Sequence, residues 1–415
     1  MLVKLAWRNV WRNKLRTSII LGAMIFGIAG VMLMMGFMNG IIDNLIKNTI
    51  QWQTSHIQIH QKNYALNPDI NLVIDDEAEI TKQLEQAPQV KAWTSRTLVN
   101  GMIASARSTR GIQINGIDLE SEPKITPIAD HILEGEWLDN KGRNPILVSQ
   151  KTADRLKLRV GSKVVLTFTD ITGNVTGAAF RVRGIFKTSS STFDDANVYV
   201  RKSDIQQLGQ VYHDHEIAIL LYDEAQVSAF RDQLSHDFSS NHSSSNHSSN
   251  NNSVQDWLQL QPLLSTMLSS MNAGNQVILV IFVIAMGFGI INILLMSVFE
   301  RTREFGVLMA VGMKKGNIRR LIILESGFIG IIGAGSGVIF SLFLLFILSK
   351  TGIPLEAMAE GLNAFGIDSV LYPSVSFSDY VTVFVTVWCV SVLAGLYPAH
   401  QIIKKKPVEA MAEKQ

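Results

Sequence analysis

Few residues in this sequence are placed to do chemistry, and the clearest are histidines. His56 and His60 stand in His-Ile-Gln-Ile-His, where strand alternation sets both rings on one face. Two such rings would suit a metal, but no Glu or Cys stands close by to complete a ligand set, so structural histidines are the preferred reading. His242 and His247 lie in 239–253, a run of little but Ser, Asn and His. Such a run could hold a metal weakly, yet it buries too little apolar area to offset the entropy of ordering, and a disordered, solvated loop is expected. The sole cysteine, Cys389, sits in an apolar run as a small hydrophobe, and a single cysteine excludes an intrachain disulfide. No nucleophile-and-base motif, no closely spaced metal-ligand set and no Gly-x-x-x-x-Gly-Lys-Ser/Thr phosphate loop occurs. The expectation is a non-catalytic chain with no metal and no cofactor of its own.

More telling is 300–312, Glu300-Arg-Thr-Arg-Glu-Phe-Gly-Val-Leu-Met-Ala-Val-Gly312, charged first and apolar afterwards. A short helix here could seat Phe305, Gly306, Leu308, Ala310, Val311 and Gly312 in a partner's groove while Glu300, Arg301, Arg303 and Glu304 fix its register. An ordinary basic loop whose apolar residues rest on lipid is the competing reading, and residue types leave the two open. Ser326, Gly330, Ala334, Gly337 and Ser341 recur at three or four residues, with Gly333 and Gly337 a small-x-x-x-small pair. Close helix packing follows, and whether that face meets another copy of the chain stays open. Glu325, at one end of the same stretch, is functional or reaches the headgroup region, the second being preferred. Met32, Met34, Met35 and Met38, with Met267 and Met271, could form an adaptable substrate lining for acyl chains, or pack plainly against lipid.

Positioning these residues requires membrane helices. At 47% hydrophobic and 17% charged, the 415-residue chain carries less charge than the roughly 25% of soluble domains. Four stretches pass the length of about 20 apolar residues that a bilayer demands: 17–42, 277–299, 321–349 and 380–400. The first is too long for a cleaved signal peptide and lacks its cleavage pattern. Lys4, Arg8, Arg12, Lys14 and Arg16 precede it without an acidic residue, which places the N-terminus in the cytoplasm. Basic residues at 301–320 and 404–406 place the second loop and the C-terminal tail (401–415) there too, while acidic Glu356, Glu360 and Asp368 suit an outer loop over 350–379. Basic residues at every fourth position beside Val3, Trp7, Trp11 and Leu15 predict an amphipathic helix over 1–16 at the cytoplasmic surface. A net charge of +2 gives no reason to expect nucleic acid.

The bulk of the chain, 43–256, reads as a water-soluble α+β insertion. Strands are predicted at 111–117, 163–169, 180–186 and 217–222, and helices at 77–86 and 151–158. Residues 257–276 are uncharged and predict a stalk helix that runs into the second span, with Pro262 near its first turn. The fold class is an α-helical membrane protein of four transmembrane helices with a large α+β extracytoplasmic domain between the first and second.

Several phrases resemble one family. Trp7-Arg-Asn-Val-Trp-Arg-Asn-Lys-Leu-Arg-Thr17, Glu300 to Gly312, Tyr397-Pro-Ala-His400 and Lys406-Pro-Val-Glu-Ala410 are similar to the permeases of lipoprotein-releasing and macrolide-exporter ABC transporters, the mechanotransmission class. Ser55-His-Ile-Gln-Ile-His60 and the 256–262 segment are similar to the lipoprotein-releasing branch. His400 and Gln401 replace basic residues usual after Pro-Ala. The resemblance implies a bacterial inner-membrane permease working with a second permease, identical or related, and with two copies of a separate ABC ATPase that binds ATP and Mg. It implies that 300–312 docks on that ATPase and passes its closure to the periplasmic domain, and that lipid enters between the first two helices. Two functions follow as expectations: extraction of lipoprotein or another amphiphile from the membrane, or mechanotransmission to a periplasmic partner such as a cell-wall hydrolase without transport.

Overall fold

The computed structural model describes residues 2–240 and 251–404. His242, His247 and the closing 406–410 lie outside the described residues. The chain runs α1 (Leu2–Arg12), α2 (Lys14–Thr49, then a π turn Ile50–Thr54), β1 (Ile57–Gln61), α3 (Glu77–Gln86), β2 (Val90–Ala104), β3 (Thr109–Ile117), α4 (Glu122–Ile125) and β4 (Ile132–Gly135). There follow β5 (Pro145–Ser149), α5 (Gln150–Leu156), β6 (Lys163–Thr169), β7 (Val175–Phe186), α6 (Ser191–Ala196), β8 (Asn197–Arg201), α7 (Lys202–Gly209), β9 (Glu216–Leu221) and α8 (Val227–Ser240). The remainder is β10 (Asn252–Asp256), α9 (Trp257–Leu260), α10 (Pro262–Glu300), α11 (Thr302–Ala310), α12 (Lys315–Thr351), β11 (Ile353–Pro354), α13 (Ala359–Ala364), β12 (Val370–Leu371) and α14 (Phe377–Lys404). Two compact units result: a helical one of the described residues up to Asp43, Leu268–Pro354 and those from Val370 onward, and a sheet unit of Asn44–Met267 with Leu355–Ser369.

In the helical unit α2, α10, α12 and α14 are each long and apolar enough to cross a membrane. Their shared core includes Ile20, Met24, Ile28, Met32, Ile290, Leu294, Ala334, Val383 and Val387. Small residues let the backbones approach. A Cβ at Gly333 would lie 2.5 Å from Met24 Sδ, one at Gly337 2.7 Å from Ile28 Cδ1, and one at Gly330 2.6 Å from Ser391 Cβ. The Gly330, Gly333, Ala334 and Gly337 face is therefore spent inside the chain, against α2 and α14, with Ala334 fully buried. α1 ends at Arg12, so Lys14 and Arg16 belong to the membrane helix α2 rather than to the surface helix. Its Val3, Trp7 and Trp11 row is exposed, as is Leu15 just beyond it, while Ala6 and Val10 face the core.

The sheet unit carries one ten-stranded mixed sheet in the order β10-β1-β9-β2-β3-β8-β5-β7-β4, with β6 pairing both β2 and β7. That double pairing closes β2, β3, β8, β5, β7 and β6 into a barrel whose interior holds Ile103, Ile114, Ile146, Val148, Leu166, Phe180, Val182 and Val198. β6 alternates buried Val164, Leu166 and Phe168 with outward-facing residues, as a one-sided strand must. On the other half, Ile57, Ile59, Ile217 and Ile219 pack with Ile80 and Leu84 of α3 and Phe230 and Leu234 of α8. The loop 355–369 joins this unit: Asn44 Nδ2 donates to Asp368 Oδ2 at 2.8 Å, and Asn48 Nδ2 to the Gly366 carbonyl at 2.7 Å.

Two further sequence expectations change. The loop predicted disordered over 239–253 is ordered at both ends, because α8 reaches Ser240 and β10 begins at Asn252. There the Asn252 side chain brackets Asp75, donating to its carbonyl at 2.8 Å and accepting from its N–H at 3.1 Å; residues 241–250 lie outside the described residues. The stalk does not begin at 257 as one helix: α9 is capped by Asp256 and Gln259, the chain breaks at Gln261, and Pro262 opens α10 where its missing N–H costs nothing.

Candidate coupling surface and membrane cavity

Helix α11 is short, and nine residues would not hold a helix in water on propensity alone. Tertiary contacts hold it. Phe305 is 1% exposed, packed among Ala6, Val298, Ile318, Leu321, Ile322, Ala399 and Ile402. The buried Arg301 guanidinium sits 5.2 Å over the Phe305 ring, and its Nη1 donates to both oxygens of Glu325 at 3.2 and 3.1 Å. Its Nε donates to Glu304 Oε2 at 3.1 Å. Arg12 of α1 grips the same Glu304 in a two-pronged pair, at 2.5 and 3.0 Å, and Arg16 donates to Glu300 at 3.0 Å. Hydrogen bonds from Arg12, before those from Arg301, hold the Glu304 carboxyl below the usual carboxylate range. Opposite charges from α1, α2 and α12 thus converge on the 300–304 turn that leads from α10 into α11.

These contacts divide the sequence-predicted residues. Arg301, Phe305 and Gly306 are buried within the chain, and Leu308 is half-buried. Arg303, Ala310 and Gly312 are exposed, with Val307 at 47% and Val311 at 82%. Gly312 adopts φ +98°, a left-handed conformation that ends the helix and turns the chain toward α12. The outward face is accordingly Arg303, Val307, Ala310 and Val311. Glu325 does not extend outward from its helix: it is buried and paired with Arg301, a partner 24 residues earlier that no local pattern reveals.

The methionines separate likewise. Met32 is fully buried in the helix core, Met35, Met38 and Met271 are half-buried, and Met267 is exposed. A cavity of about 170 Å³ opens elsewhere between α2 and α10, lined by Ile20, Ala23, Met24, Gly27, Phe282, Met286, Gly289, Ile290 and Ile293. Sequence reasoning missed Met24 and Met286 because each stands alone among aliphatic residues.

The histidines are tied to backbone. His56 Nδ1 accepts from the Leu221 N–H at 2.9 Å; His60 Nδ1 donates to the His215 carbonyl at 2.9 Å, its ring stacked 5.1 Å from Tyr64. Burial pushes both below the ordinary imidazole value, and His215 with them. Among the described residues no three His, Cys, Asp or Glu side chains gather as a metal site. Beside His60 lies a buried ionic cluster invisible to sequence reading: Arg96 donates to Glu122 at 2.7 and 2.9 Å, to Glu216 at 2.5 Å and to Thr126 at 2.8 Å. Burial opposes the Arg96 charge, but the two carboxylates more than offset it and raise its pKa.

Two family models cover most of the chain: the MacB-like periplasmic core domain matches residues 17–237, more than half of it, and the FtsX-like permease C-terminal matches 276–407. Among curated relatives, the macrolide export ATP-binding/permease protein MacB of Psychrobacter arcticus is 25% identical over 96% of this chain and 57% of its own length. The pyoverdine export ATP-binding/permease protein PvdT of Pseudomonas entomophila is 24% identical over 98% of this chain and 58% of its own length. The lipoprotein-releasing system transmembrane protein LolE of Haemophilus influenzae is 21% identical over 93% of this chain and 91% of that one. The chain therefore spans under three fifths of the first two relatives and most of the third. With four membrane-length helices and a periplasmic domain between the first and second, it belongs to the family of ABC-transporter permeases built from a MacB-like periplasmic core domain and an FtsX-like C-terminal domain.

Proposed function

We propose that this permease carries ATP hydrolysis on an ATP-binding partner into motion of its periplasmic domain, and so draws lipoprotein or another amphiphile out of the inner membrane. The observation that carries this reading is α11, clamped on one side through Phe305 and Arg301 to α1, α12 and α14 and presenting Arg303, Val307, Ala310 and Val311 on the other. A helix fixed so firmly to the membrane bundle moves the bundle when a partner moves it. The partner would bind ATP and Mg in two copies and meet a second permease, identical or related. An amphiphilic cargo is favoured by the cavity between α2 and α10, whose lining offers apolar side chains and glycine only, a surface for acyl chains rather than for polar molecules. The basic residues of α1 and of 314–320 favour a cytoplasmic position for this end, where an ATP-binding partner would meet it. Purification with native partners in mild detergent, followed by mass spectrometry, tests the reading. Copurified ATP-binding protein and lipoproteins would support it, whereas a periplasmic cell-wall hydrolase in place of lipoproteins would replace extraction by mechanical control.

A further inference from the structure

One cleft in the sheet unit has no part in this scheme. It encloses about 780 Å³ beside β7 and is lined by Lys141, Arg143, Lys163, Arg181 and Arg183, with no Asp or Glu in its wall. Arg183 is engaged from outside the cleft by Glu136 at 2.5 Å and Asp139 at 3.3 Å. Arg181 spends one Nη1 hydrogen bond on the Gly161 carbonyl at 3.0 Å. The Lys141, Arg143 and Lys163 side chains make no ion pair or hydrogen bond among the described residues, and all three are exposed to the cleft's solvent.

The walls are held in place. Asn144, at φ +49°, donates from Nδ2 to the Ala179 carbonyl at 3.2 Å and accepts from the Arg181 N–H at 2.9 Å, which pins the 141–145 loop to β7. Gly161, at φ +87°, donates to the Val182 carbonyl at 2.7 Å and pins the 160–163 loop from the other side. Two loops fastened to one strand thus hold like charges together, an arrangement that repels itself until an anion enters. Three unpartnered cations and a half-used guanidinium exceed what a single carboxylate neutralises. Multiply charged oxyanions match them, and guanidinium and ammonium groups together are the donors such oxygens take.

We infer that this cleft binds a phosphorylated ligand, through Lys141, Arg143, Lys163 and Arg181. The phosphate could stand free or on a lipid headgroup. The cleft exceeds a bare phosphate, so an attached group fits beside it. Pyrophosphate is titrated by calorimetry into the full chain in detergent, and in a second arm phosphatidic acid is added in mixed micelles. The expected result is saturable binding that falls at least about tenfold when Arg143→Glu and Lys163→Glu are combined, the loss of charge-assisted hydrogen bonds. Lys82→Glu, at an exposed position of α3 outside the cleft's lining, should change it by less than about twofold. Cleft-dependent binding in the pyrophosphate arm identifies the phosphate alone as sufficient, and binding only in the micelle arm identifies a headgroup. The inference is overturned if neither probe binds saturably, or if Lys82→Glu weakens binding as much as the cleft variant does.

Discussion

Replacing Glu325 by Ala should damage this protein far more than its position in a membrane helix suggests. Arg301 is buried, and Glu325 takes both hydrogen bonds of its Nη1, at 3.1 and 3.2 Å. Breaking one partner of a buried ion pair costs about 3–5 kcal/mol, because the surviving charge is left without compensation. Arg301 would keep Glu304 at 3.1 Å and the Phe305 ring beneath it, so the low end, about 3 kcal/mol, is expected. For a unit of this size that lowers the melting midpoint by roughly 6–12 °C. Combining Arg301→Met with Glu325→Leu removes both charges and fills the space with apolar volume, and should return stability to within about 1 kcal/mol of the parent. Intrinsic tryptophan fluorescence in nanodiscs reads the midpoints. If Glu325→Ala melts within about 2 °C of the parent, or the double variant falls as far as the two singles summed, the pair is not the buried clamp described.

Val311→Asp, on an exposed site, should change stability by less than about 0.5 kcal/mol yet sharply reduce capture of the ATP-binding partner in a pull-down; Phe305→Ala should instead cost about 3–5 kcal/mol in the same melting assay. Gly333→Leu should destabilise by more than about 1–3 kcal/mol, since even its Cβ would meet Met24 Sδ at 2.5 Å; an unchanged melting midpoint would refute the packing of α12 on α2. In the sheet unit, Glu122→Ala strands the buried Arg96 and should cost about 3–5 kcal/mol, measured by protease resistance of 44–267 in the full chain. Acid should weaken that unit too. His56, His60 and His215 are held below the ordinary imidazole value by burial, so the unfolded chain takes up protons first and stability present at neutral pH is lost as pH falls. Asp194, pushed up to about 6 by burial, acts oppositely, its contribution present at low pH and lost as pH rises through about 6. A His60→Gln variant should therefore show a shallower loss between pH 7 and 5 in the protease assay, and an unchanged slope would contradict it.

The spans were legible because an uncharged run of bilayer length has few other uses, and α3 and β6 coincide with their predicted ranges because helix and strand periodicity act locally. Their limits were less so. The stalk runs unbroken into the second span as expected, but it starts at Pro262 rather than 257, because α9 gives out before Gln261 and proline can only open a new helix there. Whether Phe305 or Val311 faces a partner could not be read, since both are apolar and the choice is made by Ala6, Ile322 and Ala399, remote in sequence. The same remoteness hid the Arg301 and Glu325 pair, the Arg96 cluster and the closure of the barrel, where β6 pairs both β2 and β7. Small residues at three- and four-residue spacing announced close packing, but not that α2 and α14 would be the neighbours.

In the proposed mechanism, ATP hydrolysis reaches the membrane bundle through the outward face of α11. A photo-crosslinking residue placed at Val311 in the full chain, expressed in cells with its native partners, tests that most directly. A crosslink to an ATP-binding subunit or domain is expected from Val311, and none from Val3 of α1, which is also exposed. Crosslinks from Val311 to lipid alone, or to no ATP-binding protein, would contradict it.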